Sequence, residues 1–331
     1  MRTPLGFNRA TSAAAVRAGI SAIGEHPFMI DRFGQPMKVT RDAGLDPDMS
    51  GVERLTELAL PAVREALLPI ENRGAKVTIL LNFGEVRPGL DAEMTAAVAD
   101  RLLDAIKGSI IPARVRHWMG GHAGGIVGMQ AGANLIASGE ADFVLIGGID
   151  SYLNADTLER LDDIEQLHSE NNIYGFCPGE AAGFVLLAKP GRIGTELDLI
   201  GAGSEIEENV IKTEDICLGE GLAAAFKAAA ISITEGHFVD QIFCDMNGER
   251  YRGNEYGFAV LKTSGLFEDA VDFKTPADCW GDVGAASGPL YAGLAIEAES
   301  RGYAKGPLTM IWASSEAGHR AAAILERRGG S

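Results

Sequence analysis

The chain has 331 residues, 46% of them hydrophobic, which is enough for a large buried core in one double-sized domain or two fused halves. Its 29 basic and 46 acidic residues leave a net charge of −17. Such a charge offers no electrostatic footing for nucleic acid or for an anionic membrane surface. No apolar run approaches ~18 residues, so no membrane span is expected, and the first residues lack an apolar signal core. The four cysteines, Cys177, Cys217, Cys244 and Cys279, include no CxxC pair. That argues against zinc and thioredoxin-type chemistry and is consistent with reduced thiols in a cytoplasmic protein.

Hydrophobic spacing predicts elements in an alternating order. A short helix is expected over 10–22 and a longer one over 52–70, where Leu55, Leu58, Val63 and Leu67 recur at helical intervals. A buried strand is expected over 77–81 and a helix over 92–107. Residues 122–138 read as a helix so rich in Gly and Ala that backbones must approach it closely. A strand over 143–149, a polar helix over 156–166 and a strand over 183–188 complete the first half. The order then repeats: strand 197–202, helix 219–232, strand 241–245, helices 255–261 and 283–301, and strands 308–313 and 321–325. Strands alternating with helices predict an α/β protein with crossovers. The 42 glycines suit tight turns and close helix-on-sheet packing. They form no dinucleotide or phosphate loop, because no GxGxxG follows a strand and no GxxxxGK[ST] is present.

Three glycine-rich pieces carry the functional information. The first, Gly120-Gly121-His122, opens the 122–138 helix, which ends at Gly139-Glu140 and is followed by Asp142 and Gly147-Gly148. The second is Gly179-Glu180 with Gly183, ahead of an apolar strand. The third is Gly281-Asp282 with Gly284-Ala285-Ala286 and Gly288. In this order and at these separations they resemble the nucleophile segment, the Gly-Glu strand entry and the Gly-His-x-x-Gly-Ala-Ala-Gly element of the β-ketoacyl synthases. The run from Arg17 through Pro27-Phe28 to Asp31 resembles the early loop region of the same family. The resemblance implies a thiolase-like five-layer α/β/α/β/α fold from two related halves, expected over residues 1–190 and 191–331.

The chemistry that the resemblance implies is altered at each side chain. The family's cysteine lies seventeen residues before a Gly-Glu pair, and counted back from Gly139 that seat holds His122. The family's first histidine aligns with Asn247, its second with Asp282, and its lysine with Ala277. The Gly-Phe-Gly-Gly loop that gates the acyl tunnel is replaced by 314–319, which brings His319 to a position expected to face the pocket. The chain is also shorter than is usual for the family.

Two readings stand side by side. In one, His122, Asn247 and Asp282 are a buried polar cluster left in a former active site, and the protein is a non-condensing accessory, scaffolding or acyl-recognition subunit. Chain-length factors of aromatic polyketide systems are the precedent. In the other, His122 and Asp282 form a base–orienter pair serving an acyltransferase or thioester hydrolase. The helix dipole opposes protonation of His122 and Asp282 favours it, so sequence leaves the sign of the shift open. No cofactor or metal is expected, although His122, Asp282 and His319 could in principle share an ion. The implied partners are a second copy or a synthase-like subunit, an acyl carrier protein, or a protein of a secretion cluster. Docking a carrier protein, itself acidic, would need a local basic patch; Arg9, Arg17, Arg32, Arg250 and Arg252 are the candidates. Glu249-Arg250-Tyr251-Arg252 reads as a charged surface loop, His117 and Trp118 as strand-end or surface residues, and His168 and His237 as exposed loop residues.

Overall fold

A computed structural model describes residues 1–71, 73–195, 197–211, 213 and 215–328. The final three residues of the expected second half lie outside the described residues.

Two sheets carry the fold. Strands β3 (Lys76–Phe83), β4 (Ile111–Met119), β5 (Phe143–Ser151) and β6 (Glu180–Ala188) form the first, in the order β4-β3-β5-β6. Its first two pairings are parallel and the last is antiparallel. Strands β7 (Leu197–Ile206), β8 (Gln241–Cys244), β9 (Phe273–Lys274), β10 (Leu308–Ser314) and β11 (His319–Arg327) form the second, in the order β7-β11-β10-β8-β9. Here β9-β8 and β8-β10 are parallel and β10-β11 is antiparallel, so the pattern of the first sheet recurs. Where β7 adds antiparallel to β11, Arg2 makes an isolated antiparallel bridge to Ala182 of β6.

The helices fall into layers set by their apolar faces. Between the sheets lie α4 (Gly121–Ala137) and α9 (Ser287–Ser300), both largely buried and touching each other and strands of both sheets. A helix with no polar face belongs in such a middle layer. Ile126, Met129, Leu290 and Leu294 pack there with Phe243 and Ile311. Outside the first sheet, α2 (Gly51–Leu67) and α3 (Ala92–Ile106) bury Leu58, Val63, Val98 and Leu102 against Ile79 and Leu81. Outside the second, α6 (Glu220–Ala229) and α7 (Arg250–Lys262) bury Phe226 and Tyr256 against Trp312. The five expected layers are therefore all present.

The differences from the sequence reading have physical causes. The first helix, α1, runs only over Arg9–Arg17 and ends before Gly19, which has φ +68°. A hairpin of β1 (Ile23–Ile30) and β2 (Pro36–Thr40) follows, with one face so exposed that its pattern carried no burial signal. Strand β4 was missed for the same reason, being mostly exposed along the sheet edge. Glu249 and Arg252 are buried rather than on a surface loop, because the chain turns into α7 there and takes both side chains inward. The five arginines form no basic patch. Arg252 is interior, Arg9 bonds Glu297, Arg32 meets Asp162 and Glu165, Arg17 lies over Tyr303, and Arg250 lies over Tyr174.

Candidate functional site

The site begins at a turn. Strand β4 delivers the chain to Gly120, and Gly121 enters α4 with φ +61°, a conformation open to glycine. A Cβ there would also stand 2.9 Å from Glu85 Cγ. Asn82, fully buried at the end of β3, fixes the turn: its Nδ2 donates to Gly121 O at 2.8 Å and its Oδ1 accepts from Gly120 N at 3.1 Å. Ser315, just past the end of β10, closes it, accepting from Ala123 N at 2.9 Å and donating to Gly120 O at 2.7 Å. His122 is thereby held in the first turn of α4.

Opposite stands Asp282, strapped into place by its own backbone. Its N donates to Cys177 O and its O accepts from Gly179 N, both at 2.8 Å. Its Oδ1 accepts from His122 Nε2 at 2.7 Å and from Gly284 N at 2.9 Å. Its Oδ2 accepts from Asn247 Nδ2 at 2.7 Å. The sequence-selected trio therefore converges on the Asp282 carboxylate, with His122 and Asp282 only 3% and 4% exposed. Behind it, Arg252 donates to Asp245 Oδ2 and Ser314 O, each at 2.8 Å. Asn247 and Arg252 both reach Glu249 Oε2, at 3.0 and 3.4 Å.

This surrounding decides the charge of the histidine. Burial alone would lower the His122 pKa; the adjoining Asp282 carboxylate outweighs it despite Arg252, and the net is a rise from 6.5 to about 9. Burial would likewise raise Asp282, but His122 and the bonds it receives hold it well below the usual carboxylate range. Both shifts favour an imidazolium–carboxylate pair at neutral pH. The thiols offer no replacement nucleophile: burial pushes Cys177 up to about 11 and raises Cys217, Cys244 and Cys279.

His122 borders a small cavity of about 220 Å³ whose walls include Glu85, Arg87, Tyr152, Gln166 and Glu316. Arg87 spans it, bonding Asp150 and lying 4.4 Å over the Tyr152 ring. His319 is not part of this arrangement. It begins β11, paired with Ile206, and its side chain is exposed; the loop reaches the site through Ser315 and Glu316 instead. A site for one ion shared by His122, Asp282 and His319 is thus not formed. Among the described residues, Glu207, Cys217 and Glu255 do stand at metal-ligand spacing. Their carboxylates are already engaged, however, Glu255 by Arg320 and Glu207 by Gly221 N. Asn82, Arg87, Tyr152, Arg252 and Ser315 were not singled out for this site from sequence. Only Asn82, a polar residue ending an otherwise apolar strand, carried a local signal.

The family described as beta-ketoacyl synthase, N-terminal domain, matches residues 117–190. No curated protein matches the chain by sequence. Solved structures resemble it along its whole length. A type II polyketide ketosynthase in complex with its acyl-carrier protein (AntDE:AntF) shares 13% identity at a TM-score of 0.80, over 98% of this chain and 97% of that one. The ketosynthase ApeO in complex with its chain length factor ApeC, from Xenorhabdus doucetiae, shares 16% at 0.72, over 98% and 96%. A β-ketoacyl synthase from Burkholderia phymatum shares 15% at 0.73, over 99% and 97%. Residues 117–190 thus match the beta-ketoacyl synthase N-terminal family, and the chain as a whole has the thiolase-like fold of the ketosynthases.

Proposed function

We propose that this protein is a non-condensing ketosynthase-like subunit that works through a partner, with 1–190 and 191–331 as its two halves. One observation carries the reading: the seat that the family resemblance gives to a nucleophile holds His122, locked to Asp282 at 2.7 Å. An imidazolium has no lone pair with which to attack a thioester or take a proton. The nearby cavity of about 220 Å³ is small and walled largely by polar and charged side chains, a poor berth for an acyl chain. Structural neighbours that include a ketosynthase paired with a chain length factor support a role of this kind.

The partner surface we favour is the first-sheet edge. Strand β4 has no neighbour on its outer side among the described residues. Beside it lies a cleft of about 580 Å³ bordered by Arg114, Trp118, Val127 and Leu135. A second copy or a synthase-like subunit would extend the sheet there. An acyl carrier protein is a further candidate partner, by analogy with a neighbour solved with one. We place the protein in the cytoplasm; no described helix is long and apolar enough to cross a membrane.

Incubation with malonyl- and acyl-thioesters, followed by intact-protein mass and thioester assay, tests the reading. No adduct, decarboxylation or hydrolysis is expected, with or without His122. An adduct or turnover that His122→Ala removes would establish the acyltransferase or hydrolase reading instead. That activity would need the neutral imidazole and so would climb as the pH rises toward about 9.

A further inference from the structure

A second cavity, of about 610 Å³, shares no lining residue with the His122 site. It opens where α1 meets the β8–β9 edge of the second sheet and the C-terminal end of α9, and its size is that of a small-molecule pocket. Its inner wall is apolar: Val16, Phe243, Phe273 and Leu294. Its rim gathers charge of the sign this acidic chain has least of, Arg17, Lys274 and Lys305. Lys274 and Lys305 both lean on one carboxylate, Asp272. Arg17 meets no carboxylate among the described residues, and its guanidinium carbon lies over the Tyr303 ring, 4.2 Å from the centroid. The one acid in the lining, Asp278, is engaged by the Thr275 hydroxyl at 2.7 Å.

Gln241 belongs to the same wall. It is 5% exposed, and its Oε1 accepts from Lys305 N at 3.2 Å. That bond fixes which end of the amide is oxygen, because the reverse assignment would set NH₂ against N–H. The Nε2 end is then buried beneath the cavity wall, with no partner among the described residues. A buried, unsatisfied amide N–H is costly and calls for an acceptor.

We propose that this cavity binds a small amphipathic carboxylate, its apolar body against Phe243, Phe273 and Leu294 and its carboxylate between Arg17 and Lys305, above the buried Gln241 amide. A ligand there would touch both α1 and the second sheet.

Titration calorimetry of the full chain with octanoate and benzoate, and with octanamide and benzamide as neutral isosteres, tests the site. The carboxylates bind saturably and the amides at least about tenfold more weakly, a difference that shrinks as salt is raised. Arg17→Gln, a surface change that should leave the thermal midpoint in place, weakens the carboxylates by about tenfold. Gln241→Glu keeps the acceptor for Lys305 N but sets a negative charge against the ligand, and abolishes binding. If that variant fails to fold, Arg17→Gln decides alone. Equal affinity for acids and amides, no saturable binding by wild type, or affinity unchanged in Arg17→Gln overturns the proposal. Inorganic phosphate competing as well as octanoate overturns it too, since that marks a bare anion site.

Discussion

A positive charge in the first turn of a helix works against the helix dipole, so His122 carries a charge that only its partner makes tolerable. Asp282 supplies that compensation from a distant part of the chain, and both residues are buried. Removing one member leaves the other buried and uncompensated. His122→Ala should therefore destabilise the protein by about 3–5 kcal/mol in urea unfolding, and His122→Ala with Asp282→Asn should recover much of the loss. A single variant as stable as wild type would mean the pair contributes nothing to the fold's stability. The pH dependence follows from the direction of each shift. His122 is raised from 6.5 to about 9, so its contribution is complete below about pH 6.5 and is lost as pH rises through about 9. Asp282 is lowered from 3.8, so its contribution is present above that value and is lost under stronger acid. The stability gap between wild type and the double variant should be widest between these limits and close by about pH 10.

Among the elements, α4 and the turn at 284–286 depend on backbones in contact. A Cβ on Gly148 of β5 would stand 2.1 Å from Ala285 O, a main-chain atom that cannot swing away. Gly148→Ala should cost about 1–3 kcal/mol in urea unfolding and, by displacing the turn beside Asp282, lower the His122 pKa. An unperturbed variant would show the strand and turn to be less tightly fitted. The same elements indicate what could be read beforehand. The buried helices and strands were legible because their apolar spacing matched their period, and the glycine pieces drew attention to His122, Asn247 and Asp282, whose side chains meet at the Asp282 carboxylate. Strand β4 and the β1–β2 hairpin were not legible, since their exposed faces give pattern reading nothing to find. His319 failed for a geometric reason: strand β11 starts at that residue and leaves its side chain exposed. Arg252 and Glu249 were mistaken for surface because two charges in sequence look solvated until nearby Asp245 and the distant Ser314 carbonyl are brought to Arg252.

At the scale of the whole molecule, two sheets of matching order enclose α4 and α9, and the His122–Asp282 pair links the start of α4 to the turn before α9. The outward edge of the first sheet is the proposed assembly surface. Trp118→Glu in the cleft beside β4 should shift the protein from dimer, or from a complex with a synthase-like partner, to monomer in light scattering while leaving the unfolding midpoint near wild type. A wild-type protein that is monomeric alone and in the presence of such a partner would remove the edge as the assembly surface. The central claim concerns the charge on His122, and nitrogen-detected NMR titration of its imidazole measures it directly. Both ring nitrogens should be protonated at neutral pH, with the transition near pH 9. A neutral ring below pH 7 would contradict the account and return His122 to the list of working bases.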